Sequence, residues 1–170
     1  KETFYLPFLL KLAKKYDLYI GISNLLYDVA DIHTGYHQAQ TALEHHKSEE
    51  SDSTKSYVYF EDIAFSEVLK YLSSNILLKD YCSVGIINLL KYDQDNATQL
   101  SQTLYIYFLC YGDAVLAAKR LNIHKNTLYY RLNIIREVLD NDLTDGKTNQ
   151  FYFFSLQALH LADMFTPPDC

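Results

Sequence analysis

The stretch "LNIHKNTLYYRL", Leu121 to Leu132, concentrates polar chemistry directly after a short apolar segment. It holds an imidazole (His124), an ammonium (Lys125), an amide (Asn126), a hydroxyl (Thr127), two phenols (Tyr129 and Tyr130) and a guanidinium (Arg131). These groups do not form a nucleophile-and-base pair or a metal cage. What they share is the ability to hydrogen-bond to flat bases and to anions. An Asn can pair bidentately with adenine, a tyrosine can offer its hydroxyl or pack on a thymine methyl, and Lys or Arg can reach phosphates.

Such groups are useful only on an element that presents them together. At 100° per residue, with Leu128 set at about 0°, Leu132 falls at about 40°, Ile135 at about 340° and Leu139 at about 20°, which is one apolar stripe. Asn126, Tyr130 and Asn133 fall at about 160°, 200° and 140°, on the opposite face, and Lys125, Arg131 and Arg136 border the stripe. The spacing therefore predicts a helix over 125–139 with a ridge of amides and a phenol between cations. His124 is the candidate N-cap, and the helix start points free N–H groups that favour a phosphate.

Upstream, "AVLAAKRL" reads as a short helix from Ala114, with small Ala117 and Ala118 where another helix can approach. Asp113 follows Gly112 and is placed to accept its first free N–H groups. Two short helices joined by "NIH" give a helix-turn-helix outline. Asn126, Tyr130 and Asn133 are the expected base readers, and Lys125, Thr127, Arg131 and Arg136 the expected phosphate contacts. Arg131, near the edge of the stripe, has a competing reading as the partner of a carboxylate in its own domain, and Tyr129 one as domain packing.

The charge balance agrees once it is taken locally. The net charge of the 170 residues is −6, yet Ala114 to Leu139 carries five basic residues and one acidic, a balance of +4 that leaves −10 elsewhere. Phosphate binding responds to the local field, which decays over about 8 Å at physiological salt. A basic segment on an acidic body is thus compatible with double-stranded DNA as the partner.

The remainder of the chain reads as support for that segment. With 49% hydrophobic and 21% charged residues it has the composition of a folded globular protein rather than a disordered one. Its longest strongly apolar run, "LYIYFLCY", is too short for a membrane span, and no signal-peptide pattern precedes it. Cys82, Cys110 and Cys170 suit neither a disulfide framework nor a zinc site, so a cytoplasmic home is expected. The first residue, Lys1, points to a piece of a longer polypeptide.

Along the chain, Leu6, Leu9, Leu10, Ala13 and Tyr16 mark an amphipathic helix, and "LYIGIS" (Leu18 to Ser23) a buried strand. Ile32, Tyr36, Ala39 and Leu43 mark a second helix capped by Asp31, and "YVYF" (Tyr57 to Phe60) a second strand, with a polar loop from Lys47 to Ser56 between them. Two strands make a poor sheet, and further strands are expected upstream. After Glu61 the pattern is helical. Phe65, Val68, Leu69 and Leu72 form one face; Val84, Ile87 and Leu90 form another; Leu100, Leu104, Tyr107, Phe108 and Tyr111 form a third. Asn96 with Gln99 is the expected cap of that third helix and Gly112 its stop. An apolar segment from Phe151 to Phe165 closes the domain.

At this point "LLKYDQDNATQLSQTLYIYFLCYGDAVLAAKRLNIHKNTLYYRLNIIREVLDNDLTD", Leu89 to Asp145, resembles the C-terminal helix-turn-helix of the PucR/CdaR-like bacterial regulators of purine catabolism and sugar-diacid use, with "IHKNTLYYRL" its most specific part. The upstream "IGISNLLYDVADIHTGYHQAQTALEHH" and "VYFEDIAFSEVLKYL" resemble, more weakly, the end of the degenerate GGDEF-like domain that precedes it in such regulators. The resemblance implies a mixed fold: a partial α/β segment over 1–60, a helical connector over 61–93 and an all-α helix-turn-helix domain over 94–170. It further implies a homodimeric transcriptional regulator with no cofactor, responsive to an effector bound elsewhere in the polypeptide. Three positions depart from the family pattern: Asp113 stands where Asn is usual, and Lys125 and Tyr129 stand where Arg is common.

Other chemistry is discounted. His33 and His37 are four apart, but only His45 or His46 could join them, so no metal site is expected. Glu49 and Glu50, and Glu61 and Asp62, are adjacent carboxylates that diverge on a helix or strand. There is no Gly-rich phosphate loop and no nucleophile motif, so no enzyme is expected. The alternative reading is a non-catalytic ligand-binding or oligomerisation module whose helices serve protein partners.

Overall fold

The computed structural model describes residues 5–48, 56–74 and 76–168. It is 70% helical with one small two-stranded sheet. The chain divides within a helix into two compact units, Lys1–Val68 and Leu69–Cys170.

In the first unit, helix α1 (Leu6–Tyr16) leads to strand β1 (Ile20–Ile22), and helix α2 (Ile32–Ser48) leads to strand β2 (Tyr57–Tyr59). The strands are parallel, with Ile20 opposite Tyr57 and Ile22 opposite Tyr59. Helix α2 packs on both strands. Gly21 lets it come close, because a Cβ there would lie 2.0 Å from the Ala39 carbonyl oxygen. Only Ala13 of α1 is buried, and Ala42, not Ile32 or Tyr36, is the most enclosed apolar residue of α2. Asp31 does not cap α2. It lies in a 3-10 turn, Val29–Asp31, whose own cap is Asp28, with Oδ1 accepting from Ala30 N at 2.8 Å. The expected polar loop begins within α2, and residues 49–55 of it lie outside the described residues.

Helix α3 (Phe60–Ser73) takes Phe60 from the expected second strand. Phe65 and Val68, placed on its buried face by periodicity, are about half exposed, while Ile63 and Leu69 are buried.

The second unit is built on five further helices: α4 (Val84–Asn96), α5 (Leu100–Leu109), α6 (Ala114–Arg120), α7 (Lys125–Leu139) and α8 (Gly146–Leu161). Its core gathers Ile86 and Leu89 from α4, Leu100, Leu104 and Ile106 from α5, and Leu156 and Leu159 from α8 around Leu128, Leu132 and Ile135 of α7. On α4 the buried pair thus lies two residues on from the expected Val84 and Ile87, which face outward. Cys82 and Cys110 are buried, and burial pushes the Cys82 thiol up, as suits a packing residue.

Capping also differs from expectation. Asn96 is the last residue of α4, and its side chain donates back to the Tyr92 carbonyl. Asp93 starts α5 instead: its carboxylate accepts from Leu100 N (2.7 Å), Ser101 N (2.8 Å), Ser101 Oγ (2.6 Å) and Thr98 Oγ1 (2.6 Å). A negative charge at a helix start meets both the free N–H groups and the helix dipole. Helix α8 begins five residues before Phe151, because Asp145 accepts from Thr148 N and caps it there. At its other end it stops at Leu161, ahead of the Thr166–Pro168 segment.

Candidate nucleic-acid interface

Both ends of α6 are fixed by local chemistry. Asp113 Oδ1 accepts from Val115 N at 2.8 Å and Leu116 N at 3.0 Å. At the far end Asn122 adopts a left-handed conformation (φ 51°), and the Ile123 and Asn122 N–H groups return to the Ala118 and Lys119 carbonyls. That pairing is a Schellman stop, and Asn tolerates its backbone better than most residues. The chain then turns through Ile123, and α7 starts at once. His124 is extended, with Nδ1 accepting from Asn126 N at 3.2 Å and its carbonyl accepting from Leu128 N. Nδ1 can accept only while it carries no proton.

The angular pattern of α7 is realised. Leu128, Leu132, Ile135 and Leu139 are buried against α4, α5 and α6, with Ala117 and Ala118 of α6 enclosed where the two helices meet. On the other side Lys125, Asn126, Thr127, Tyr130 and Asn133 are exposed, Tyr130 by 67%. Lys125 Nζ lies over the Tyr129 ring at 5.4 Å, a cation–π contact that holds both at the start of the helix.

The remaining cations are tied into the domain. Arg131 is half-buried, and its Nη1 donates to Thr103 Oγ1 of α5 at 3.0 Å; its partner is a hydroxyl, not the carboxylate allowed for at the edge of the stripe. Arg136 donates from Nη1 to Asn133 Oδ1 (2.9 Å) and from Nε to the Asp142 carbonyl (3.2 Å). Thus Lys125, Asn126, Thr127 and Tyr130 share one exposed surface, Asn133 is held by Arg136, and Arg131 turns toward α5. Sequence reasoning gave no role to Asp93, which starts α5, or to Thr103, which receives Arg131.

On α2, His33 and His37 bring their Nε2 atoms within 3.2 Å of each other. Among the described residues no group of three or more His, Cys, Asp or Glu is placed to hold a metal. No helix of the described residues is long and apolar enough to cross a membrane.

Two short helices set by caps, a Schellman turn between them and a second helix with one buried and one polar face make a helix-turn-helix. Residues 100–158 match the PucR C-terminal helix-turn-helix domain. The chain is 31% identical over 146 residues to the proline-responsive transcriptional activator PutR of Bacillus subtilis (strain 168), covering 84% of this chain and 34% of that protein. It is 30% identical over 128 residues to the purine catabolism regulatory protein of the same organism, covering 75% of this chain and 23% of that one. To the DNA-binding transcriptional activator AdeR, also of Bacillus subtilis, it is 23% identical over 145 residues, 85% of this chain and 34% of that protein. The chain therefore spans about a third or less of the length of these curated relatives. No solved structure matches it.

Proposed function

We propose that α7 enters the major groove of double-stranded DNA, with Asn126, Tyr130 and Asn133 at base edges and Lys125, Thr127, Arg131 and Arg136 at phosphates. The observation that carries this reading is the exposed face of Lys125, Asn126, Thr127 and Tyr130 set opposite a fully buried leucine and isoleucine stripe. The free N–H groups at the start of α7 add an attraction for phosphate.

One short helix covers only a few base pairs, so the protein acts as a homodimer on half-sites about 34–36 Å apart or a multiple of that. The Lys1–Phe60 segment is the end of a GGDEF-like α/β domain, a reading supported by parallel β1 and β2 with α2 packed across them. An effector bound elsewhere in the polypeptide changes dimer geometry, and the protein is a non-catalytic cytoplasmic regulator. The reading is supported by its relatives: AdeR and PutR are transcriptional activators, and the third is a purine catabolism regulatory protein.

The test is fluorescence-anisotropy binding to a small library of duplexes at several salt concentrations, comparing the chain with an Asn126→Ala, Arg136→Ala double variant. Selective binding with a steep salt slope that the double variant loses is the expected result. Equal binding by both proteins would remove α7 from the interface.

A further inference from the structure

A second feature of the helical unit lies beside the reading ridge rather than on it. A cleft of about 810 Å³ runs between α5, the end of α6 and the turn into α7, with Gln99, Gln102, Arg120, Ile123, Arg131 and Pro168 in its wall. Two guanidinium groups and two primary amides thus face one concavity in a protein of net charge −6. Despite that acidity, among the described residues neither Arg120 nor Arg131 has an ion-pair partner. Among the described residues the one hydrogen-bond partner of half-buried Arg131 is the neutral Thr103 hydroxyl, at 3.0 Å.

That is an unusual state for a half-buried cation. A guanidinium has five N–H donors, and one hydrogen bond to a hydroxyl leaves most of them open. Removing a charge from water is costly unless an opposite charge or further hydrogen bonds replace the lost hydration. Planar, fork-like Arg donors match the paired oxygens of carboxylates and phosphates better than any other side chain does. Gln99 and Gln102 can supply neutral donors to the same oxygens. Gln102 already directs its Nε2 to the Thr166 carbonyl at 2.9 Å, so the C-terminal segment is fastened at the mouth of the cleft.

We propose that this cleft is an oxyanion-binding site of the DNA-binding domain, in which Arg131 and Arg120 together hold a carboxylate or phosphate group. The group comes either from a small free anion or from the DNA backbone. Arg131 lies one turn along α7 from exposed Thr127, so either occupant sits next to the reading surface. Binding to the free protein does not depend on α7 reading bases, and the two proposals fail separately.

The experiment is an NMR titration of the free chain with inorganic phosphate and, separately, with succinate, chloride holding the ionic strength constant. The expected result is saturable shifts of the Gln102, Ile123 and Arg131 amides, with affinity reduced about tenfold or more in Arg120→Gln and in Arg131→Gln. Arg120 is exposed, so its variant reports on binding even if loss of the Arg131–Thr103 contact loosens the fold. Shifts that grow linearly without saturating, or saturable shifts unchanged in Arg120→Gln, would overturn the proposal. A repeat with a bound duplex then identifies the source. Displacement of the anion assigns the site to a backbone phosphate, and retention assigns it to a free anion; both outcomes uphold the site.

Discussion

The two halves of α7 carry similar side chains and use them differently. In the first half, Lys125, Asn126, Thr127 and Tyr130 face outward, and the one polar tie among them is the stacking of Lys125 on Tyr129. From Arg131 onward the polar groups also turn inward: Arg131 donates to Thr103, and Arg136 donates to both Asn133 and the carbonyl of the turn that follows. An amide or guanidinium that uses a donor or acceptor within the fold has fewer left for a partner and is held in one orientation, and a net hydrogen bond is worth only about 1 kcal/mol. The comparison teaches that recognition belongs mainly to the first two turns of the helix and that the last two hold the helix in place.

The largest expected effect tests what the halves share. Leu132→Ala removes a side chain 1% exposed at the centre of the stripe and should cost about 2–5 kcal/mol in chemical denaturation. A cost below about 1 kcal/mol would mean that the stripe does not anchor α7. Next comes the comparison itself. Asn126→Ala should lose about 1–3 kcal/mol of discrimination between the preferred duplex and a single-base variant. Asn133→Ala should lose clearly less. Equal losses would place recognition along the whole helix and break the distinction between the halves.

Much of this unit was legible from the sequence because α7 obeys a single period. Four leucines and isoleucines at helical spacing fixed the buried face, and Asp113 fixed the start of α6 by side-chain chemistry that acts within a few residues. What escaped were contacts between elements. Asp93 caps a helix that starts seven residues later, and Arg131 reaches Thr103 twenty-eight positions back; neither separation leaves a periodic trace. The face of α4 was misplaced because apolar residues occur all round it, so that Val84 and Ile87 looked as suitable for burial as Ile86 and Leu89. Tyr111, read as core, is fully exposed because it takes the left-handed position that ends α5 (φ 54°) and so turns off the helix face.

Two smaller predictions refine the division of labour. Lys125→Ala should lower the salt dependence of duplex binding by about one phosphate contact, with little effect on which sequence is preferred. A change in preference would make Lys125 a reader rather than a phosphate contact. Arg136→Ala should lower stability, by about 1 kcal/mol in denaturant titration, as well as duplex binding, since both of its hydrogen bonds are internal. If binding fell while stability held, Arg136 would belong with the first half.

The smallest effect concerns the turn that Arg136 grips. Asp142 and Asp145 are held below the usual carboxylate value of 3.8, first by the hydroxyls of Thr144 and Thr148 and then by the N–H groups of the same residues. A folded-state value below the unfolded one means that the stabilisation is fully present above the unfolded value and is lost as pH falls through the folded one. The junction of α7 with α8 should therefore be insensitive to pH from neutrality down to about 4 and weaken below that. In Asp145→Asn the amide oxygen can still accept from Thr148 N, but it has no charge to lose on acidification. Thermal melts of that variant and the parent should converge toward low pH. Parallel melts across the acid range would show that the cap of α8 owes nothing to ionisation, leaving Arg136 and the Schellman turn at Asp140 to hold the end of α7.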